Sequence, residues 1–280
     1  MSQSVNAEAP ATGLLPVLDV LDLEPIELDI FRSRLSGEPG HRLFGGEVCA
    51  QALVAAERTV PPETAPHSLH AYFLRPGDTG ARVVFRVDRL QEGRNFRRRR
   101  VTAIQHGEPI LCLESSFTTD RSGTDYQVPA PEAPDPADCT PFDWRFPNRW
   151  VVDPHDAFDI RPATLDPDER VRALGDLWFA PQHGENDGRV SNAAILTYFS
   201  DLTFVSSLLR RVERTDVAGM TSLDHVLWFH NEVRLDDWLY YAKSSPAVGH
   251  LRGLAEGRIF HRDGTLIATV AQEGLIHGQK

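Results

Sequence analysis

Asp201, Ser222 and Gln272 are the polar residues whose surroundings suit chemistry better than packing. Asp201 has Thr197 and Tyr198 before it and Phe204 and Val205 after it at helical spacing. A single carboxylate on an apolar helical face loses hydration and becomes a usable general base. The plainer alternative is an aspartate at the edge of the buried face, bonded to a nearby hydroxyl or backbone group. Ser222 lies in Gly219–His230, a stretch with the apolar residues of a strand (Leu223, Val226, Leu227, Trp228, Phe229) but also two hydroxyls, a carboxylate and two imidazoles. A strand that only fills a core has no use for so many polar groups, since each one buried without a partner costs free energy. Ser222 fits a nucleophile, a proton relay or a plain strand hydroxyl, and no Gly-x-Ser-x-Gly turn surrounds it. Thr221 is a rival hydroxyl. Strand alternation puts Ser222 on one face with Asp224, Val226 and Trp228, and Thr221 on the other. Gln272 interrupts the apolar run Leu266–Ala271. Its amide both donates and accepts, so it can hold a water and a hydroxyl at once; otherwise it marks a strand end before Glu273-Gly274.

Other reactive residue types form weaker patterns. His225 and His230 are five apart on a strand, hence on opposite faces, and cannot chelate one metal; no other His, Cys or Asp cluster has ligand spacing, so neither a metal nor another cofactor is expected. Arg97-Arg98-Arg99-Arg100 sits in a strand that sends two guanidinium groups to each face. That reads as solvated faces or an interface, with a phosphate site as the alternative.

These residues need elements to carry them. Gly45-Gly46 turns the chain into a helix from Glu47 to Arg58 with small side chains (Ala50, Ala52, Ala55, Ala56), slim enough for a sheet to enclose, and Pro61-Pro62 ends it. Strand patterns follow at Ser68–Leu74, Ala81–Gln91, Asn95–His106 and Pro109–Thr118, separated by turn signals. Before the helix, Pro16–Leu35 reads as a short helix and a strand. Residues 120–147 are proline-rich with Asp and Glu between, an extended linker. Val151–Pro162 resumes strand character and Leu174–Pro181 is a strand. Ser191 is a plausible N-cap for a helix from Asn192 to about Arg210, and strands follow at Thr221–Phe229, Leu239–Ser245, Leu251–His261 and Leu266–Glu273. Helix then strands occurs twice at one spacing: Tyr72 to Gly107 is 35 positions and Trp228 to Gly264 is 36. The chain therefore divides into an N-terminal unit (1–119, with a leader), a linker (120–150) and a C-terminal unit (151–280) that carries the three polar residues.

Composition narrows the function. The 280 residues carry a formal net charge of −11, which argues against nonspecific nucleic-acid binding. Three cysteines in no paired spacing suggest a reducing, cytoplasmic setting. No run approaches about 18 apolar residues, so no membrane span is expected. Met1–Pro16 has an acidic Glu8 and no positive region, and reads as a frayed leader and not a signal peptide.

Phe44-Gly45-Gly46, the run His67–Asp78 with Tyr72-Phe73-Leu74-Arg75-Pro76-Gly77-Asp78 at its centre, Gly93-Arg94-Asn95-Phe96, Tyr198–Leu202, Leu223-Asp224-His225, Trp228-Phe229-His230 and Gln272-Glu273-Gly274 occur in one order along the chain. In these motifs, from about Phe31 to Gly274, the sequence resembles the acyl-CoA thioesterase II (TesB-like) family. The resemblance implies an α+β tandem hotdog fold, two helices each wrapped by a curved antiparallel sheet. It also implies hydrolysis of acyl-CoA to free acid and CoA, by a water that Asp201, Ser222 and Gln272 activate. Many relatives have Thr where Ser222 stands, and Gln where Glu47 stands. Backbone N–H groups at Gly46 or Glu47, where the first helix begins, are the expected oxyanion donors. A homodimer or larger assembly is expected, because hotdog sheets often pair. Two other functions compete: a noncatalytic acyl-CoA binding or sensing module, and acyl-CoA hydration, which would need His225 or His230 beside Asp201.

Overall fold

The computed structural model describes residues 15–34, 39–119, 123–142, 157–182, 186–212 and 217–278. The leader expected at the N-terminus lies outside them up to residue 14, as does the strand character expected at 151–156. Within the first half, α1 (Leu15–Leu21) and the short strands β1 (Glu24–Glu27) and β2 (Ile30–Arg32) precede α2 (Gly45–Glu57), and β3 (Ala65–Phe73), β4 (Val84–Glu92), β5 (Phe96–Gln105) and β6 (Glu108–Thr118) follow it. In the second half, β7 (Phe158–Pro162), α3 (Glu169–Leu174) and β8 (Leu177–Pro181) lead to α4 (Asn192–Ser200) and a 3-10 helix (Val205–Arg211). Five strands complete it: β9 (Val217–Ser222), β10 (Asp224–Phe229), β11 (Leu239–Gly249), β12 (Arg252–His261) and β13 (Leu266–Gly278). The helix α3 carried no distinct sequence signal.

All the strands belong to one antiparallel sheet, in the order β1-β2-β4-β5-β6-β3-β10-β13-β12-β11-β8-β7, with β9 paired to β13. The sheet wraps α2 and α4, which pack on each other. Each half alone has the helix-in-sheet arrangement expected of a hotdog. Enclosure explains the composition of α2: every residue from Gly46 to Ala56 is buried, and apart from Glu47 and Gln51, which bond each other, the side chains round it are small or apolar. Its C-terminal end is plugged by Arg99, which is fully buried and donates to the hydroxyl and the carbonyl of Thr59 at 2.7 and 2.9 Å and to Glu92 at 2.5 Å. One member of the four-arginine run is therefore a fixture of the core, and Arg97 and Arg100 pair with Glu92 and Glu114.

The halves meet at β3 and β10, where Asp224 lies opposite Tyr72 and Trp228 opposite Ser68. A two-fold at this seam, carrying residue n of β10 to n − 156 of β3, exchanges those two pairs. The neighbouring strands follow with a shift of one: Ser222 opposite Gly274 in the second half answers to Pro66 opposite Phe117 in the first.

Two elements differ from expectation, both at the polar residues. The helix expected to run to Arg210 stops at Ser200, with Asp201 as its C-cap. Thr203 then adopts a left-handed φ of 59°, which a β-branched residue takes only under tertiary constraint, and the 3-10 helix follows. The carbonyl of Ser200 is satisfied by the hydroxyl of Tyr241 at 2.9 Å in place of a helical N–H. The strand expected over Thr221–Phe229 is broken at Leu223. Its first part, β9, pairs only with β13, whereas β10 also forms the seam. The described part of the proline-rich segment, 123–142, packs against the outer face of the second half's sheet: Pro134 accepts from the indole of Trp178 at 2.9 Å, and Cys139 is buried with Trp178, Tyr240 and Phe260.

Candidate functional site

A cavity of about 490 Å³ opens where the start of α2 meets the end of α4. Leu43, Phe44, Val48, Phe73, Ile110 and Val205 give it an apolar wall; Asp201, Thr203, Thr221 and Ser222 give it a polar one. Arg42 and Arg75 also line it. The first half thus supplies the helix start and much of the apolar wall, and the second supplies the carboxylate and the hydroxyls.

The break in α4 presents Asp201 to this cavity. The residue is 8% exposed, and its Oδ1 accepts from Nε2 of Gln272 at 2.6 Å. Gln272, on β13, is buried behind the wall, and its Oε1 has no hydrogen-bond partner among the described residues. Ser222 lies opposite Gly274, two residues from Gln272 along β13 and so roughly 7 Å away along the strand. Its hydroxyl makes no hydrogen bond with the described residues. Thr221 also lines the cavity, because the break at Leu223 removes the strict alternation expected there, but its hydroxyl is bonded to Nε2 of His277 at 2.9 Å.

Gly45 touches the carboxylate. A Cβ added to it would stand 2.7 Å from Oδ2 of Asp201, so only glycine lets the helix start approach this closely. Gly46 and Glu47, the expected oxyanion donors, are buried and stand off the cavity wall, which at this point is Phe44, Gly45 and Val48. Gly46 serves helix packing: its added Cβ would meet the Tyr198 carbonyl at 2.4 Å. The Glu47 carboxylate accepts from Gln51 at 3.3 Å inside the protein, so its charge does not face the cavity.

No Lys or Arg among the described residues pairs with Asp201, and the titratable groups around it are held neutral. Burial pushes the Cys49 thiol and the Tyr241 phenol well above their usual ranges, and the Asp201 charge adds to both. Burial lowers His225 below the usual imidazole value, against the opposing pull of Asp201 and Asp224. His225 is fully buried with Nδ1 4.0 Å from Oδ1 of Asp201, so a histidine does stand beside the carboxylate as hydration chemistry would require. Its ring is absent from the cavity wall and cannot touch a ligand there. His230 is elsewhere, bonded to Thr269 at 2.8 Å. Sequence reasoning missed Gly45 and Thr203; the Gly-Gly pair signalled the first, and nothing signalled the second. Among the described residues no cluster could hold a metal ion.

Comparison with known proteins identifies the family and the fold of the chain. The family model for acyl-CoA thioesterase matches residues 169–275, and that for the acyl-CoA thioesterase N-terminal domain matches residues 35–119. Human acyl-coenzyme A thioesterase 8 is 37% identical over 93% of this chain and 88% of its own length. Acyl-CoA thioesterase 2 of Haemophilus influenzae is 35% identical over 93% of this chain and 96% of its own. The crystal structure of an acyl-CoA thioesterase II from Mycobacterium marinum superposes with a TM-score of 0.79 at 35% identity, covering 95% of this chain and 98% of that one.

Proposed function

The chain belongs to the acyl-CoA thioesterase family and hydrolyses acyl-CoA thioesters, and on that premise we propose that Asp201, Ser222 and Gln272 activate the attacking water. The 2.6 Å bond between Gln272 and Asp201 at the wall of the shared cavity carries the proposal. Gln272 fixes the carboxylate through Oδ1 and leaves Oδ2 toward the cavity side at Gly45. A water between Asp201 and Ser222 donates one proton to the carboxylate as its oxygen attacks the thioester carbonyl. The C=O π pair moves to oxygen, and the N–H of Gly45, which starts α2 on the cavity wall in place of the expected Gly46 and Glu47, stabilises the oxyanion, a helix start being a ready anion site. Collapse breaks the C–S bond. The thiolate leaves with the electron pair and needs no strong acid, and the proton held by Asp201 goes to it or to solvent. The acyl chain lies along the apolar wall, and the CoA phosphates lie toward Arg42 and Arg75.

The same reading divides the chain at 120–150 into units 1–119 and 151–280, which is consistent with the two family-model matches. No described helix is long and apolar enough to cross a membrane. Cys49, Cys112 and Cys139 are free, which suits a cytoplasmic enzyme, and exposed Tyr72 and Trp228 on the outer face suit a homo-oligomer. The test is Asp201→Asn, assayed by thiol release from acyl-CoA alongside thermal unfolding. Turnover should fall by about 10³-fold with the fold intact; wild-type turnover in a folded variant would remove Asp201 from the reaction.

A further inference from the structure

Strand pairing matches Tyr241 of β11 to one residue of the first half. Tyr241 lies opposite Ile259, Ile259 opposite Ala268, and Ala268 opposite Phe229. In the first half Phe85 lies opposite Ala103, Ala103 opposite Leu111, and Leu111 opposite Phe73. The seam two-fold carries Phe229 to Phe73, so Tyr241 answers to Phe85, and 241 − 156 = 85. Both side chains are fully buried, and they differ by one hydroxyl.

The helices of the two halves differ as well. Matching the N-caps Ser191 and Phe44 carries Asp201 to Val54, since 201 − 147 = 54. In the half with Phe85 the helix continues past this point: α2 runs to Glu57, and the Val54 carbonyl accepts from the N–H of Arg58, four residues on, at 3.1 Å. In the half with Tyr241 the helix stops at Ser200, and the Asp201 carbonyl accepts from Phe204, only three residues on, at 3.3 Å. A carbonyl cannot donate, so the Tyr241 O–H is the donor in its 2.9 Å bond to the Ser200 carbonyl. Burial, and then the Asp201 charge, raise that phenol well above its usual range, so it keeps its proton. It occupies the acceptor that a continuing helix would give to the N–H of Phe204.

A glycine makes room for this arrangement. A Cβ added to Gly257 would collide with the Tyr241 ring and stand 3.0 Å from the Phe204 ring, and those two rings stack with centroids 5.4 Å apart. Gly257 answers to Val101, since 257 − 156 = 101, and they lie opposite the matched residues Lys243 and Val87. Tyrosine, glycine and a broken helix occur together in one half. Phenylalanine, valine and a continuous helix occur together in the other.

We propose that Tyr241 is a positioning residue for the reaction: its hydrogen bond to Ser200 ends α4 just before Asp201 and so sets the carboxylate at the cavity wall. The proposal rests on the activated-water reading above, in which Asp201 takes the proton. Without the phenol the buried Ser200 carbonyl loses its donor, and an unpaired buried carbonyl costs free energy. The nearest replacement is the N–H of Phe204. Closing that bond winds the chain on through Asp201 and Thr203 and turns the carboxylate away from Gln272. Tyr241 is absent from the cavity wall, so substrate contacts there are untouched.

Tyr241→Phe deletes only this hydroxyl, and the buried Phe85 shows that the fold accepts phenylalanine at the matching position. Its kcat in thiol release from acyl-CoA should fall by about tenfold to hundredfold, the cost of a reacting group displaced by about 1 Å, with KM within about twofold of wild type. Adding Gln272→Ser to it should lower kcat little further, because both side chains act by holding Asp201 in place. A tyrosine that supports only the fold predicts a lower melting temperature with kcat unchanged, or a fall that multiplies with that of Gln272→Ser. Either result overturns the proposal. Gly257→Ala supplies a second reading should Tyr241→Phe not fold. It keeps the hydroxyl and pushes the ring, so kcat should fall several-fold at unchanged KM, and an unchanged kcat overturns the proposal too. Asp201→Asn run in parallel tells the two readings apart. If it retains turnover, the activated-water reading fails; if it loses turnover while Tyr241→Phe and Gly257→Ala keep theirs, only the positioning role fails.

Discussion

The two halves share a fold and differ in what stands at equivalent points. Where the second half has Asp201, Ser222 and Gln272, the seam two-fold and the matched helix starts place Val54, Pro66 and Ser115. The arithmetic is 201 − 147 = 54, 222 − 156 = 66 and 272 − 157 = 115. Val54 cannot take a proton, Pro66 has neither hydroxyl nor N–H, and Ser115 is a buried hydroxyl without a partner among the described residues. The first helix-in-sheet unit thus has the geometry without the groups. On the activated-water proposal, what distinguishes the two copies is a few polar side chains set behind one wall, and not the scaffold. The halves remain interdependent, because the catalytic one borrows the start of α2.

The largest effect comes from erasing the difference. Asp201→Val copies the first half's residue and should lower turnover by about 10³-fold in thiol-release assays, without loss of the cooperative unfolding transition. Gln272→Ser copies Ser115 and Ser222→Ala removes the hydroxyl; each should cost on the order of tenfold to hundredfold in kcat. Ser222→Thr should stay near wild type in the same assay, since the hydroxyl survives. Gly45→Ala tests the borrowed helix start. Its Cβ would push on Oδ2 of Asp201, so kcat should fall by about tenfold with little change in melting temperature.

Two smaller effects concern stability. Lys243 is buried, and its Nζ donates to Thr203, on the cavity wall, at 3.2 Å. Burial first, then the nearby Arg210, lowers its amine to about 7, against the pull of Asp176. The folded protein therefore binds this proton less tightly than the unfolded chain does. Its penalty is full below pH 7 and disappears as pH rises toward the ordinary lysine range. Urea unfolding should reveal a stability contribution that grows between pH 7 and about 10, by at most about 1.4 kcal/mol per pH unit, and that is absent in Lys243→Met. Ser115→Ala should change stability by no more than about 1 kcal/mol, in the stabilising direction, and leave turnover untouched; a loss of activity would mean the first half is not chemically silent.

Much of the site could be read before any coordinates. Asp201 and Gln272 stand out as polar residues in apolar company, and the Gly45-Gly46 pair marks the helix start that the cavity uses. The end of α4 could not be read, because Leu202, Phe204 and Leu208 continue the apolar spacing and are buried whether or not the helix continues. What ends it is the Tyr241 hydroxyl at Ser200 and the amide of Gln272 at Asp201, both far away in the chain. The break at Leu223 was hidden for the same reason. Leu223 donates to Glu273 and accepts from Phe73, so it is bound to both halves at the point where β9 leaves the seam. The four-arginine run misled in the opposite way: its composition suggests a surface, but Arg99 is held inside, where it donates to the hydroxyl and carbonyl of Thr59 just past the end of α2.

The Gly45 contact with Asp201 has a consequence for inheritance. The side chains proposed to react are all encoded after residue 200, yet a lesion at residue 45, more than 150 codons upstream, strikes the same carboxylate as a lesion in Asp201 itself. The first half, which lacks the carboxylate, therefore still bears on it, through the space that one missing methyl group provides.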